Sequence, residues 1–425
     1  MLEKDTTIVS ESGQEYVVLS LVSEGTGQGD VYRVSSDGAD YALKLFYGGN
    51  EEVLKEQVRV LMKRGHPDSV FVHPVDIVSF EGRVGYVMEY IPKEYLSGSV
   101  LYNGIERDGH REELPFHVKL SVLSNLAEAV SILYNANLAM MDLKFDNIKI
   151  HPETWEVKVL DMDTVVGSDN GQAFIEGTIG FMPPLTMRGE EQPSKYNDSF
   201  ALAIIIFMTL FGSHPFMGQM AEDPYDGNLE MHLFAEDPVY VWHPNDARNR
   251  PSIDNMHTER RLLKYPHSFT EAFEATFVDG LFDKEKRTPP DRWCVLLREL
   301  YEQSYCCQVC GEEQFFAQTQ VRVCDACDEM LVKPLLLCAE KSVPLFFRNM
   351  VRESDLWQLA PSDEPFAKVV HTCYKGKRGL MMLRESVLLV FPDGRSVDFK
   401  KGTVAPLFLN ATYKYQNKEF SIQEG

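Results

Sequence analysis

A chain of 425 residues with 44 % hydrophobic content has room for two or three packed domains. Its 42 basic and 64 acidic side chains leave a net charge of −22, which argues against non-specific nucleic-acid binding and against docking on anionic lipid. Proteins or cationic surfaces are the partners this charge favours, and the polar, acidic start M-L-E-K-D-T-T does not read as a secretory signal.

In chain order, residues 15–90 read as strands with one helix. Tyr16–Val22 and Val31–Val34 flank a glycine-rich turn, E-G-T-G-Q-G-D, whose glycines let backbone N–H groups approach phosphate oxygens. A strand Tyr41–Phe46 follows and carries Tyr41-Ala42-Leu43-Lys44, close to a strand motif whose Lys pairs with nucleotide phosphates and with a helix Glu. Glu51–Arg64 has near-helical apolar spacing and stops at Gly65-His66-Pro67. Glu56 is the expected partner of Lys44, with Glu51 or Glu52 as alternatives if the helix shifts by a turn. Val84–Ile91 closes this set of strands.

From about 115 onward helices dominate: Pro115–Asn135 is amphipathic, Tyr196–Phe211 is apolar nearly all round, and a third spans roughly Pro289–Glu302. Phe200–Gly212 is the only long apolar run and is too short for a bilayer, which takes about 20 residues. It therefore fits a buried helix. Residues 218–266 read as an insertion of loops and short helices. Residues 367–425 alternate as strands, with Pro392-Asp393-Gly394 as a hairpin turn.

Leu138–Ile150 reads L-A-M-M-D-L-K-F-D-N-I-K-I, and Val157–Asp163 is a second apolar strand ending in acid. That spacing lets Asp142 accept a proton from a hydroxyl while Asn147 and Asp161 converge on a metal ion and Lys144 neutralises a migrating phosphoryl group.

With these elements in this order, the first roughly 300 residues resemble a eukaryotic-type Ser/Thr protein kinase domain, of the divergent kind found in bacteria and their phages. The resemblance implies ATP bound with Mg²⁺ (or Mn²⁺) and a protein Ser or Thr hydroxyl as acceptor. Asp142 would be the catalytic base, with Lys144, Lys44 and Glu56 as the other catalytic residues. Gly25, Gly27, Gly29, Val31, Ala42, Lys44, Met88, Glu89, Ile91, Asn147 and Asp161 would bind the nucleotide, Asn147 and Asp161 through the metal. Met88 would guard the back of the adenine pocket, and the backbone of Glu89 and Ile91 would bond the base.

The departures from the family pattern are specific. The glycine loop is either one residue long, with Ser23 in first place, or one residue short, beginning at Gly25. Met140-Met141 replaces His-Arg, which removes the cation that pairs with a phosphorylated activation loop and implies activity without that modification. Asp161-Met162-Asp163 replaces Asp-Phe-Gly. Thr178, in G-T-I-G-F-M-P-P-L, matches the Thr that bonds the catalytic Asp and Lys. Leu185 stands where the family has Glu, so Arg287 should find Glu190, Glu191 or a backbone carbonyl instead. Asp198 matches the Asp that holds the catalytic-loop backbone, while Thr164, Ser168 and Thr178 are candidate modification sites.

Five of the eight cysteines lie between 306 and 327. Cys307-Q-V-Cys310 and Cys324-D-A-Cys327 form two C-x-x-C turns, the arrangement that places four thiolates around structural Zn²⁺. Cys306 is a poorer-spaced substitute for Cys307, and Cys294, Cys338 and Cys373 read as small buried hydrophobes. The fold class expected is α+β, a two-lobed kinase-like fold (15–92 and 93–303) followed by a zinc ribbon (304–332) and a small mostly-β domain (333–425). A cytoplasmic protein is expected, without nucleic-acid or membrane binding. The operon context of such kinases adds a cognate phosphatase or a von Willebrand A-type protein as partner. The alternatives are a nucleotide-binding pseudokinase scaffold that presents its C-terminal domain to a protein, and a small-molecule phosphotransferase of the same fold.

Overall fold

The computed structural model describes residues 2–26, 29–49, 51–64, 70–107, 109–162, 165–167, 177–251, 265–307, 313–315, 324, 327, 335–345, 350–358, 364–371, 378–409 and 411–424. Gly27, Gly65, His66, Pro67, Asp163, Thr164, Ser168, Cys310 and Cys373 lie outside the described residues. Two compact units divide the chain, one holding most of residues 1–295 and the other most of 296–425.

In the first unit β1 (Thr7–Val9), β2 (Glu15–Thr26), β3 (Gly29–Ser36), β4 (Ala39–Phe46), β5 (Pro74–Phe80) and β6 (Arg83–Glu89) form one sheet in the order β1-β2-β3-β4-β6-β5. β1 and β5 are additions to the sequence reading. Strand periodicity divides the side chains between two cores. Leu43 and Leu45 of β4 join Tyr16, Tyr32, Val34 and Val87 on one face. Ala42 and Phe46 join Met88, Tyr86 and Ile77 on the other, where α1 (Glu51–Arg64) packs through Leu54, Val58 and Met62. Lys44 falls between Ala42 and Phe46 and so shares their face.

The rest of this unit contains most of the helix Phe116–Asn135 and all of Lys195–Phe211. Phe116–Asn135 is long and apolar enough to cross a membrane by length and composition, but 67 % of its most apolar window is buried in the protein. Lys195–Phe211 opens with Ser194 and Asn197 as a capping box and stops at Gly212, whose φ of 74° supplies the left-handed C-cap. Phe207 packs among Phe211, Tyr240, Trp242, Phe273 and Phe277. Asn249 closes the segment that follows: its amide donates to Phe216 O and Val239 O and accepts from the N–H groups of Gly218 and Met220.

Arg287 is wholly buried, and Glu191 stands 3.7 Å from it in the place that Leu185 leaves without charge. Its Nε also donates to Gly280 O at 2.8 Å and one terminal nitrogen to Tyr196 O at 3.3 Å. Burial lowers the guanidinium pKa to about 10, so the group remains cationic at neutral pH.

Among the described residues the second unit contains the antiparallel pair Ser304–Cys306 and Glu313–Phe315 and two larger antiparallel sheets. One, of six strands, includes Leu335–Cys338, Val387–Val390, Ser396–Phe399, Thr412–Tyr415 and Lys418–Glu424. The other, of four strands, includes Pro365–His371 and Arg378–Met382. One apolar core joins them through Leu337, Phe366, Leu380, Leu389, Tyr413 and Phe420. Gly394, with φ of 85°, makes the turn between Val387–Val390 and Ser396–Phe399.

Replacing Glu191 by Gln removes the carboxylate paired with buried Arg287. Urea denaturation should show a loss of about 3 kcal/mol, as when one partner of a buried ion pair is removed.

Candidate active site

The strand Leu138–Ala139 leads into a turn that ordinary residues do not favour, since Met141 has φ of 68°. Asp198 holds that turn. Its fully buried carboxylate accepts the Met140 N–H at 2.6 Å and the Met141 N–H at 3.1 Å. Burial raises its pKa to about 7, against the pull of the two N–H donors. Met140 and Met141 are themselves buried, so apolar packing fills the positions that the family gives to His and Arg.

Asp142 follows directly. Thr178 Oγ1 donates to its Oδ1 at 2.7 Å, and Lys144 Nζ lies 2.7 Å from its Oδ2 and 2.9 Å from Thr178 Oγ1. Asn147 Nδ2 donates to the Asp142 backbone carbonyl at 2.9 Å and to Asp142 Oδ2 at 3.3 Å. With the amide nitrogen committed there, the Asn147 side-chain oxygen is the atom left for a cation. Leu160 N donates to Asn147 O at 2.8 Å, which ties the next strand, Val157–Val159, to this loop. Asp161 then takes φ of 57°, a left-handed conformation that Asp tolerates better than most residues, and its Oδ1 lies 3.3 Å from Lys44 Nζ.

The structure thus brings Asp142, Lys144, Asn147 and Thr178 together, and separately Lys44 with Asp161. Val31, Ala42, Met88 and Ile91 share one apolar cluster with Leu160, a residue the sequence reading passed over. Ala42 lies opposite Met88 in the β4–β6 register. Gly25 precedes Thr26, the last residue of β2, which pairs with Gly29 at the start of β3.

Glu56 is a correction. Its side chain is 63 % exposed and pairs with Arg59 at 3.8 Å, not with Lys44. The reason is helical geometry: Leu54, Val58 and Met62 form the buried stripe, and a residue two places from Leu54 is turned about 200° away from it. Glu51 pairs with Lys55 at 2.7 Å, so that alternative also has a local partner.

Downstream, His214 secures the segment after Thr178. Its Nδ1 accepts from Phe216 N–H, so Nε2–H is the donor to Gly180 O at 2.8 Å. Burial depresses its pKa to about 4, which keeps it in this neutral tautomer. Nothing in the isolated motif pointed to it, because the contact spans 34 residues.

In the cysteine cluster, the Sγ atoms of Cys307, Cys324 and Cys327 lie within 4.8 Å of one another. Cys307 and Cys324 are buried. The Cys307–Cys327 separation of 3.7 Å matches the ~3.8 Å edge of a tetrahedron with Zn–S bonds of about 2.3 Å.

A family model described as "Protein kinase domain" matches residues 16–272, more than half of the chain. A serine/threonine-protein kinase pkn3 of Myxococcus xanthus is 27 % identical over 64 % of this chain and 51 % of its own length. A protein kinase C-like 2 of Schizosaccharomyces pombe is 25 % identical over 55 % of this chain and 23 % of its own length. The chain therefore spans about half or less of these relatives. A solved granulovirus kinase of Cydia pomonella aligns with a TM-score of 0.47 and 16 % identity, covering 66 % of this chain and 93 % of its own.

The raised Asp198 pKa has a definite sign in stability. Between about pH 4 and 7 the unfolded carboxyl ionises before the folded one, so burial of Asp198 costs progressively more as pH rises. The stability of wild type relative to Asp198→Asn should fall across that window, as measured by chemical denaturation at each pH.

Proposed function

Because the chain belongs to the protein kinase family, we propose that it transfers the γ-phosphoryl group of ATP to Ser or Thr hydroxyls of protein substrates. The observation that carries this reading is the closed set Lys144–Thr178–Asp142, with Lys144 and Thr178 each within 2.9 Å of a neighbour in the set. Asp142 Oδ1 and Oδ2 are held in place by donors, so the carboxylate is oriented before substrate arrives. As the hydroxyl oxygen bonds to the γ-phosphorus, its proton passes to Asp142 and the bond to the β-phosphate oxygen breaks, releasing ADP. Lys144 places positive charge where the transferred group carries negative charge.

Lys44 is positioned to pair with phosphate oxygens, and Val31, Ala42, Met88, Ile91 and Leu160 supply an apolar slot for the base. Asn147 and Asp161 are the residues that would hold Mg²⁺, which when bound neutralises phosphate charge. Met141 brings no cation to the catalytic turn, and Asp198 already fixes that turn, so activity should not require a phosphorylated activation loop.

Cys307, Cys324 and Cys327 fit a structural zinc site, for which the C-x-x-C spacing of the sequence would supply Cys310 as fourth ligand. Four protein thiolates leave no open coordination position, so this metal would have no part in the chemistry.

Incubation with labelled ATP, Mg²⁺ and generic protein substrates should give phosphoserine or phosphothreonine, and Asp142→Asn should lower the rate by at least about 10²-fold. Equal labelling in wild type and variant would refute the assignment. Retained nucleotide binding without transfer would instead support the scaffold alternative. Elemental analysis should find one zinc per chain, reduced in Cys324→Ser together with the thermal stability of the second unit.

A further inference from the structure

We propose that Lys158 is a positioning residue for nucleotide binding, acting through Glu89 on the segment that joins the two halves of the kinase domain. The proposal rests on the reading of the cleft as a nucleotide site. Lys158 sits in Val157–Val159, a strand whose three residues are all buried, and its side chain is only 8 % exposed. Its Nζ is 3.0 Å from Glu89 Oε2 and 3.5 Å from Glu156 Oε1. A lysine in that setting is costly unless paired, and the two carboxylates hold its pKa above the ordinary value despite burial.

Position within the strand gives the pair its significance. Alternation places Lys158 on the same face as Leu160, which packs in the apolar cluster with Ala42, Met88 and Ile91. Glu89 ends β6 and is the residue whose backbone would bond the base. Between Lys158 and Leu160, Val159 exchanges backbone hydrogen bonds with the segment leading into β5: Val72 N to Val159 O at 2.9 Å and Val159 N to Val70 O at 2.8 Å. One residue past Leu160, Asp161 reaches Lys44. Residues 158–161 thus link the two halves four times in succession: by ion pair, by backbone bonds, by apolar contact and by a second ion pair. The first of these is the one that acts on the joining segment, and it fixes Glu89 before the nucleotide arrives.

The test is a double-mutant cycle read by calorimetric titration with ATP and Mg²⁺. Lys158→Met keeps the aliphatic stem but removes the charge, and Glu89→Gln changes a side chain that is 51 % exposed, so the second tolerates folding where the first does not. Each single variant should weaken ATP binding roughly five- to tenfold, the double variant should lose no more than either single, and the charge swap Lys158→Glu with Glu89→Lys should recover most of the loss. The KM for ATP should rise while the KM for the protein substrate stays within about twofold. Unchanged ATP affinity in folded single variants, or additive losses in the double, would overturn the proposal. Failure of wild type to bind ATP would remove its premise and overturn it too, whereas binding without phosphoryl transfer would count against the catalytic reading alone.

Discussion

The catalytic geometry depends on two backbone hydrogen bonds to one buried carboxylate. Met141 adopts a left-handed backbone that costs an ordinary side chain on the order of 1–3 kcal/mol. Asp198 offsets that cost by taking the Met140 and Met141 N–H groups, which the turn would otherwise leave without a strand partner. Asp142 is the next residue, so its orientation is inherited from a helix that begins more than fifty positions later in the chain. The helix in turn is anchored by its own capping box, which places Asp198 in the first turn.

Around this anchor the charged groups form two separate sets. Asp142 is enclosed by Lys144, Thr178 and Asn147, all from its own loop or the segment after it. Lys44 lies 3.3 Å from Asp161, while α1 turns Glu56 outward to Arg59. The helix is secured elsewhere: Glu11, just after β1, accepts two bonds from Arg59 and lies 3.6 Å from Lys55.

What the sequence made legible follows from the range of each interaction. Strand alternation around Ala42–Phe46 and the D-x-K-x-x-N spacing are local, and the residues they select converge. The choice of Glu56 failed because a one-residue shift on a helix moves a side chain by 100°, and the apolar spacing of 53–62 did not determine which face was buried. His214 and Lys158 were passed over for a different reason: each acquires its role from a partner distant in the chain, His214 from Gly180 and Lys158 from Glu89. A lysine between two valines before L-D is nevertheless a signal, since a charge in an otherwise buried strand requires a partner.

Three of the substitutions that make the motifs look eroded share one physical consequence. Met140, Met141 and Met162 are all buried, and Met162 directly follows Asp161. None introduces a charge that must be neutralised, so the interior of the site keeps its order through packing and through Asp198 rather than through an added anion. Leu185 follows the same logic in reverse. Removing the family's Glu there strands Arg287, and the chain meets the need with Glu191, which also takes Lys284 at 3.0 Å. A carboxylate shared between a buried and a half-exposed cation keeps the arginine's charge paired. The chain thus keeps a counter-charge for Arg287 where it does not keep the family's letter at 185, which is what a buried guanidinium requires.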